Sequence, residues 1–196
     1  MKFSTDEIRD LVVAWLALGA AFAFFFARVR SPAGLMEFVA SMAFLRALGV
    51  SLVTVGVAFL LHELAHKVVA VHYGQYARFK ADYGMLALAV GGGLAGFIFA
   101  APGAVHHVGR LTERQRGLIA LAGPVTNLAL AVLFAPLVFV FPLIGSRGVA
   151  INLLLAAFNM LPIGPLDGNT VRQWSTPVYL IVLIPSVALA ASVFFL

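Results

Sequence analysis

The sequence predicts an all-α fold. It reads as a polytopic bundle of about five to six membrane segments in one domain over residues 1–196, with a glycine-rich re-entrant or hairpin segment at 84–105. Three observations carry this. First, the chain is 62% hydrophobic and 11% charged, with a mean hydropathy of +1.03. That is too little charge to cover a soluble domain of this size. Second, residues 11–27, 47–61, 83–105, 117–146, 148–166 and 173–196 carry no charge. Most of these runs reach, or nearly reach, the ~20 residues a helix needs to cross the hydrocarbon core. Third, the basic residues stand singly or in pairs at the ends of these runs, where topology signals belong. The net charge of +5 is therefore a membrane-flank signal, and nucleic acid is excluded as a partner. Cysteine is absent, which excludes disulfides and thiolate ligands.

Taken in order, the first helix covers about residues 6–28. Asp6, Glu7 and Asp10 at its start argue against a signal peptide. Ser31-Pro32 interrupts the chain. A second helix starts near Pro32 or Glu37 and stops at Gly74; its membrane part is about 47–67. Gly91-Gly92-Gly93, Gly96 and Pro102-Gly103 make the next stretch re-entrant, ending in a short strand at 100–105, with a full crossing as the rival reading. Helices follow at about 116–141, kinked by Gly123-Pro124, at 148–160, and at 177–196. Pro162 and Pro165 break the chain after Met160. No internal repeat or soluble appendage is expected. With the N-terminus in the cytoplasm, Lys2, Arg9, Lys67, Arg78, Lys80, Arg110, Arg114, Arg116 and Arg172 fall inside, and Arg28, Arg30 and Arg147 outside. Arg46 lies in the second helical segment. The lipid bilayer is the expected surrounding, and the cell membrane the expected location.

Two carboxylates sit in or against apolar runs, Glu63 and Asp167, and charge at membrane depth marks function. Glu63 belongs to His62-Glu63-Leu64-Ala65-His66. On a helix, i and i+4 share a face, so both imidazoles point at one metal ion, and Glu63 beside the first of them is placed to take a proton from water. A catalytic zinc needs a third protein ligand. His72, the His106-His107 pair, Asp82 and Asp167 could each supply it. His72 is six residues past His66, roughly on the opposite side of the helix. Asp82 reads as a solvated loop charge. Asp167 follows a proline-broken helix in an apolar context and is the best placed.

Together, Leu61-His-Glu-Leu-Ala-His-Lys67, Ala122-Gly-Pro-Val-Thr-Asn127 and Asn159-Met-Leu-Pro-Ile-Gly-Pro-Leu-Asp-Gly168 resemble the site-2 protease family of intramembrane zinc metalloproteases. The resemblance covers about residues 60–172, with all three motifs in the family's order. It implies one zinc ion per chain on His62, His66 and Asp167, with Glu63 activating water. It matches Asn159 to an asparagine whose amide could donate to the developing oxyanion, and Asn127 to one that we expect in substrate binding. The implied substrate is a membrane protein with a single spanning helix, cut within or near that helix by a site on the cytoplasmic side. Departures from many members are the lack of an inserted PDZ-like module and the long apolar insertion at 84–99. The competing readings are a metal-ion transporter and a zinc-binding membrane protein without activity. Against a transporter stands the single compact site, with no repeat.

Overall fold

The computed structural model describes residues 2–28, 32–97 and 102–193. Helix α1 is Thr5–Ala27, α2 Pro32–Val39 and α3 Met42–Ser51. A π-helical turn, Leu52–Gly56, joins α3 to α4, Val57–His72. Strand β1 is Tyr76–Ala81, α5 Tyr83–Ala95 and β2 Gly103–Val108. Then come α6 (Glu113–Phe134), α7 (Leu137–Val140), α8 (Pro142–Asn159), α9 (Asp167–Trp174) and α10 (Thr176–Ser192). The two strands pair in a two-stranded sheet. The fold is a helix bundle, as predicted. Among the described residues, four helical segments are long and apolar enough to cross a membrane: Thr5–Ala27, Met42–His72, Glu113–Phe134 and Pro142–Asn159. The α5 and α10 helices are apolar but shorter.

Contacts divide the chain into two compact units. One holds Lys2–Phe59 with Phe79–Ala104, the other Leu60–Arg78 with residues from Val105 onward. In the Lys2–Phe59 unit, α1 packs on α5 and α3, and its Ala14, Leu18, Ala21 and Ala23 are buried. The glycine-rich segment serves this contact. A Cβ on Gly93 would strike the backbone of Ala21, so only glycine lets the two helices come this close. The π turn widens the helix at Leu52, whose carbonyl accepts the Trp15 indole N–H at 3.0 Å.

The described part of 84–105 fits the re-entrant reading better than a full crossing. The 13-residue α5 spans about 20 Å at 1.5 Å per residue, short of the ~30 Å core. The Asp82 backbone N–H also donates to the Pro102 carbonyl at 3.0 Å, so the segment leaves and returns at one level. Asp82 itself is more than a solvated loop charge. It is the N-cap of α5, accepting from the Met85 amide at 3.0 Å.

Other expectations shift. The strand foreseen at 100–105 lies at Gly103–Val108, and residues 100 and 101 fall outside the described ones, as does Arg30. Strand β1 and helix α9 were not anticipated. The helix expected to reach 141 ends at Phe134, just before Ala135-Pro136, with the short α7 after it, and the helix expected from 148 starts at Pro142. Glu7 and Asp10, taken as flanking acids, are 1% and 3% exposed. The Glu7 carboxylate accepts the Phe79 amide at 3.0 Å; Asp10 accepts the Ala81 amide at 3.2 Å and the Tyr83 hydroxyl at 2.7 Å. Lys67 was expected to reach the membrane interface, but it is 1% exposed and packed inside the protein.

In the other unit, α6 packs against α8 and α9, and α10 against α8 and α9. Thr112 and Gln115 form a reciprocal capping box that starts α6. Pro124 lies within α6 and is buried; it has no N–H, so it leaves one helical carbonyl without its usual partner. Helix α4 seats on α6 where Ala70 meets Ile119.

Candidate metal centre

Every residue of the site belongs to the unit that contains α4 from Leu60 onward and α6–α10. His62 and His66 lie one turn apart on α4, with ring centroids 4.7 Å apart and 5% and 8% exposure. The face of α6 opposite them is ordered by fours. Ile119, Gly123 and Asn127 are spaced i, i+4 and i+8, so they line one side of the helix. The Ile119 carbonyl lies 2.7 Å from His66 Nδ1, and the Asn127 Oδ1 lies 2.6 Å from His62 Nδ1. Both partners are oxygen acceptors, so each Nδ1 carries a proton and donates.

Each Nε2 is thereby left for something else. Both face one atom, Asp167 Oδ2, at 3.3 Å from His62 and 3.4 Å from His66. A neutral imidazole protonated at Nδ1 presents a lone pair at Nε2, and a lone pair repels a carboxylate unless a cation lies between. Ligands at 2.0–2.2 Å on a tetrahedral ion stand roughly 3.3 Å apart. The spacing therefore suits one small metal ion better than two direct hydrogen bonds, which run at about 2.9 Å. The donor atoms of these three residues lie within 4.8 Å of one another. Gly123 keeps the space open, for a Cβ there would sit 2.5 Å from both Nε2 atoms.

Asp167 reaches the site because it opens α9, where the helix N-terminus favours an acidic side chain. It enters the site as a carboxylate. Glu63, 8% exposed, has its carboxyl beside the Val105 backbone of β2.

The remaining candidates separate. Asn159 ends α8 and donates one amide hydrogen to the Leu155 carbonyl at 2.9 Å, which leaves its second. Asn127, expected in substrate binding, is fully buried, with its amide engaged by His62 and by Asn152. His72, His106 and His107 are exposed and outside the cluster, as is Asp82. Sequence reasoning missed Gly123 and Asn152. Asn152 left a trace, since it is an amide inside the uncharged run 148–166, seven residues before Asn159 and thus near the same helix face.

A two-histidine, one-aspartate cluster in an apolar helix bundle, among helices long enough to cross a membrane, has the donor set of a catalytic zinc site. The comparisons agree. The chain is 39% identical over 192 residues to the protein of Methanocaldococcus jannaschii named "Putative zinc metalloprotease MJ0611", covering 94% of this chain and 92% of that one. It is 31% identical over 153 residues to the Bacillus subtilis protein named "Putative zinc metalloprotease YwhC", covering 64% and 68%. The chain belongs to the zinc metalloprotease family that these names describe. No family model matches it, and no solved structure does.

Proposed function

We propose that this protein is an intramembrane zinc metalloprotease of the site-2 type, which hydrolyses peptide bonds within or near the spanning helix of a membrane-protein substrate. One observation carries the reading. Two imidazoles, both held as Nδ1 donors, converge on a single carboxylate oxygen at 3.3 and 3.4 Å, beside an embedded glutamate. His62, His66 and Asp167 would hold the ion, and zinc bound there supplies Lewis acidity toward the scissile carbonyl and water of pKa ~7.

The chain's own residues do the rest. Glu63 takes the proton from the attacking water and later delivers it to the leaving amine nitrogen, so no external acid or base is needed. The free amide hydrogen of Asn159 is available to a developing oxyanion. A substrate helix must first open, because its carbonyls are tied in i→i−4 bonds. Strand β2 offers backbone for the opened peptide to pair with by edge addition. The two histidine ligands lie six to ten residues before the end of α4, about 9–15 Å of helical rise from His72. With basic residues concentrated on that side, cleavage falls toward the cytoplasmic end of the substrate's helix, in the cell membrane.

The test is cleavage of a single-span model substrate by purified protein, with products mapped by mass spectrometry. Glu63→Gln should keep zinc bound and lower the rate at least ~10²-fold, since a base is lost but no ligand. Undiminished cleavage by that variant, or cleavage confined to a soluble tail, would defeat the proposal.

A further inference from the structure

Behind His62 stands a buried polar chain that the proposed reaction does not use. Asn127 Nδ2 donates to Asn152 Oδ1 at 3.0 Å, and Asn152 Nδ2 donates to the Gly148 carbonyl at 2.8 Å. Asn127 and Asn152 are both 0% exposed. An asparagine amide has one accepting end and one donating end, and a half-turn exchanges them. Which end of Asn127 meets His62 therefore decides which tautomer the imidazole adopts.

The answer starts from the backbone. The Gly148 carbonyl only accepts, so Asn152 must point its Nδ2 at it and its Oδ1 at Asn127. That oxygen in turn requires a donor, so Asn127 presents Nδ2 to Asn152 and Oδ1 to His62. Oδ1 only accepts, so His62 must carry its proton on Nδ1, which leaves the Nε2 lone pair free toward Asp167. His66 reaches the same state in one step, through the Ile119 carbonyl. Asn152 serves His62 as a backbone carbonyl serves His66, at one remove.

We infer that Asn127 and Asn152 are positioning residues that lock His62 in the metal-binding tautomer, with Asn152 acting wholly through Asn127. The inference deepens the zinc reading above and rests on it. It predicts a coupling that packing alone would not produce. Asn127→Leu and Asn152→Leu should each weaken zinc binding by roughly 10–100-fold, the usual effect of losing a group that orients a ligand. The double variant should bind no worse than Asn127→Leu alone, because Asn152 has nothing left to orient. Asn152→Asp should retain affinity, since burial keeps its carboxyl protonated, so that its O–H donates to the Gly148 carbonyl while its other oxygen still accepts from Asn127 Nδ2.

Zinc affinity is measured by chelator competition on detergent-purified full chain, and the His62 tautomer by ¹⁵N NMR on the zinc-free protein. Nδ1 should be the protonated nitrogen in the wild type and in Asn152→Asp, and lose that preference in Asn152→Leu. Additive losses, unchanged affinity in Asn152→Leu, or a His62 tautomer indifferent to Asn152 would overturn the inference. If Asn127→Leu does not fold, the Asn152→Leu and Asn152→Asp pair decides alone. A wild type that binds no zinc but keeps the Nδ1–H tautomer would sink the functional reading and leave the relay standing.

Discussion

At position 123 a hydrogen atom stands where any other residue would place carbon against two imidazole nitrogens. The two consequences of adding one methyl group pull in opposite directions. Inside a helix, alanine is favoured over glycine by about 1 kcal/mol, so Gly123→Ala gains local stability in α6. The added Cβ lies 2.5 Å from Nε2 of both His62 and His66, on the side where the ion would bind. In the metal-free state the gain in helix propensity offsets only part of the cost of shifting the two imidazoles, and the variant should hold zinc at least ~10-fold more weakly than wild type. Gly91→Ala is the control. It is also in a helix, with nothing within 4 Å of its Cβ, and should leave zinc affinity unchanged. Chelator competition and thermal unfolding of the two variants, side by side, separate a blocked site from a damaged fold. Equal zinc affinity in Gly123→Ala and wild type would mean that the ion does not sit against α6.

At the scale of elements, legibility follows from how local the cause is. The pair His62 and His66 is readable because helix periodicity alone puts i and i+4 on one face. Asp167 was readable as a carboxylate with nowhere polar to go, although the helix it opens was not. Helix α9 has eight residues and β1 six; elements this short take their stability from packing, which no local pattern records. Glu7 and Asp10 show the same limit. In the sequence they open an apolar helix and look like ordinary flanking charges. In the structure they stand three residues apart on one face of α1 and take the amides of Phe79 and Ala81, alternate residues of β1 and so on one edge of that strand. Lys67 misled for a similar reason, because its burial depends on neighbours distant in sequence. The α1 carboxylates give a test. Glu7→Ala should cost about 1–3 kcal/mol by leaving a buried strand amide unsatisfied, while Glu7→Gln, which keeps an acceptor oxygen, should cost clearly less. Thermal unfolding in detergent reads the difference, and faster hydrogen exchange at the Phe79 amide in Glu7→Ala would locate it. Equal losses for alanine and glutamine would assign the effect to charge instead of to the strand.

For the whole molecule the deciding question is which segments change sides. Segment 82–102 makes no net crossing, since its ends are hydrogen-bonded to each other. The chain after His72 and the chain before Glu113 must then lie on one face, with Arg78, Arg110 and Arg114 together. Helix α6, with 22 residues, and α8, with 18, are each long and apolar enough to cross. A crossing by α6 and a return by α8 would put the start of α8, near Arg147, on the far face and bring Asp167 and Arg172 back to the face from which α4 ends. This parity is what allows one site to be built from α4 and α9. Had 82–102 crossed, Asp167 would lie on the side opposite the end of α4 that carries His66, and the observed approach of 3.4 Å would require a charged segment dragged through the bilayer. The native chain has no cysteine, so single cysteines report without background. Placed at 78, 114 and 172 they should react with a membrane-impermeant maleimide only from the cytoplasmic side, and at 147 only from outside. Labelling of 78 and 114 from opposite faces would break the parity, and the shared site of His66 and Asp167 could not then exist as described.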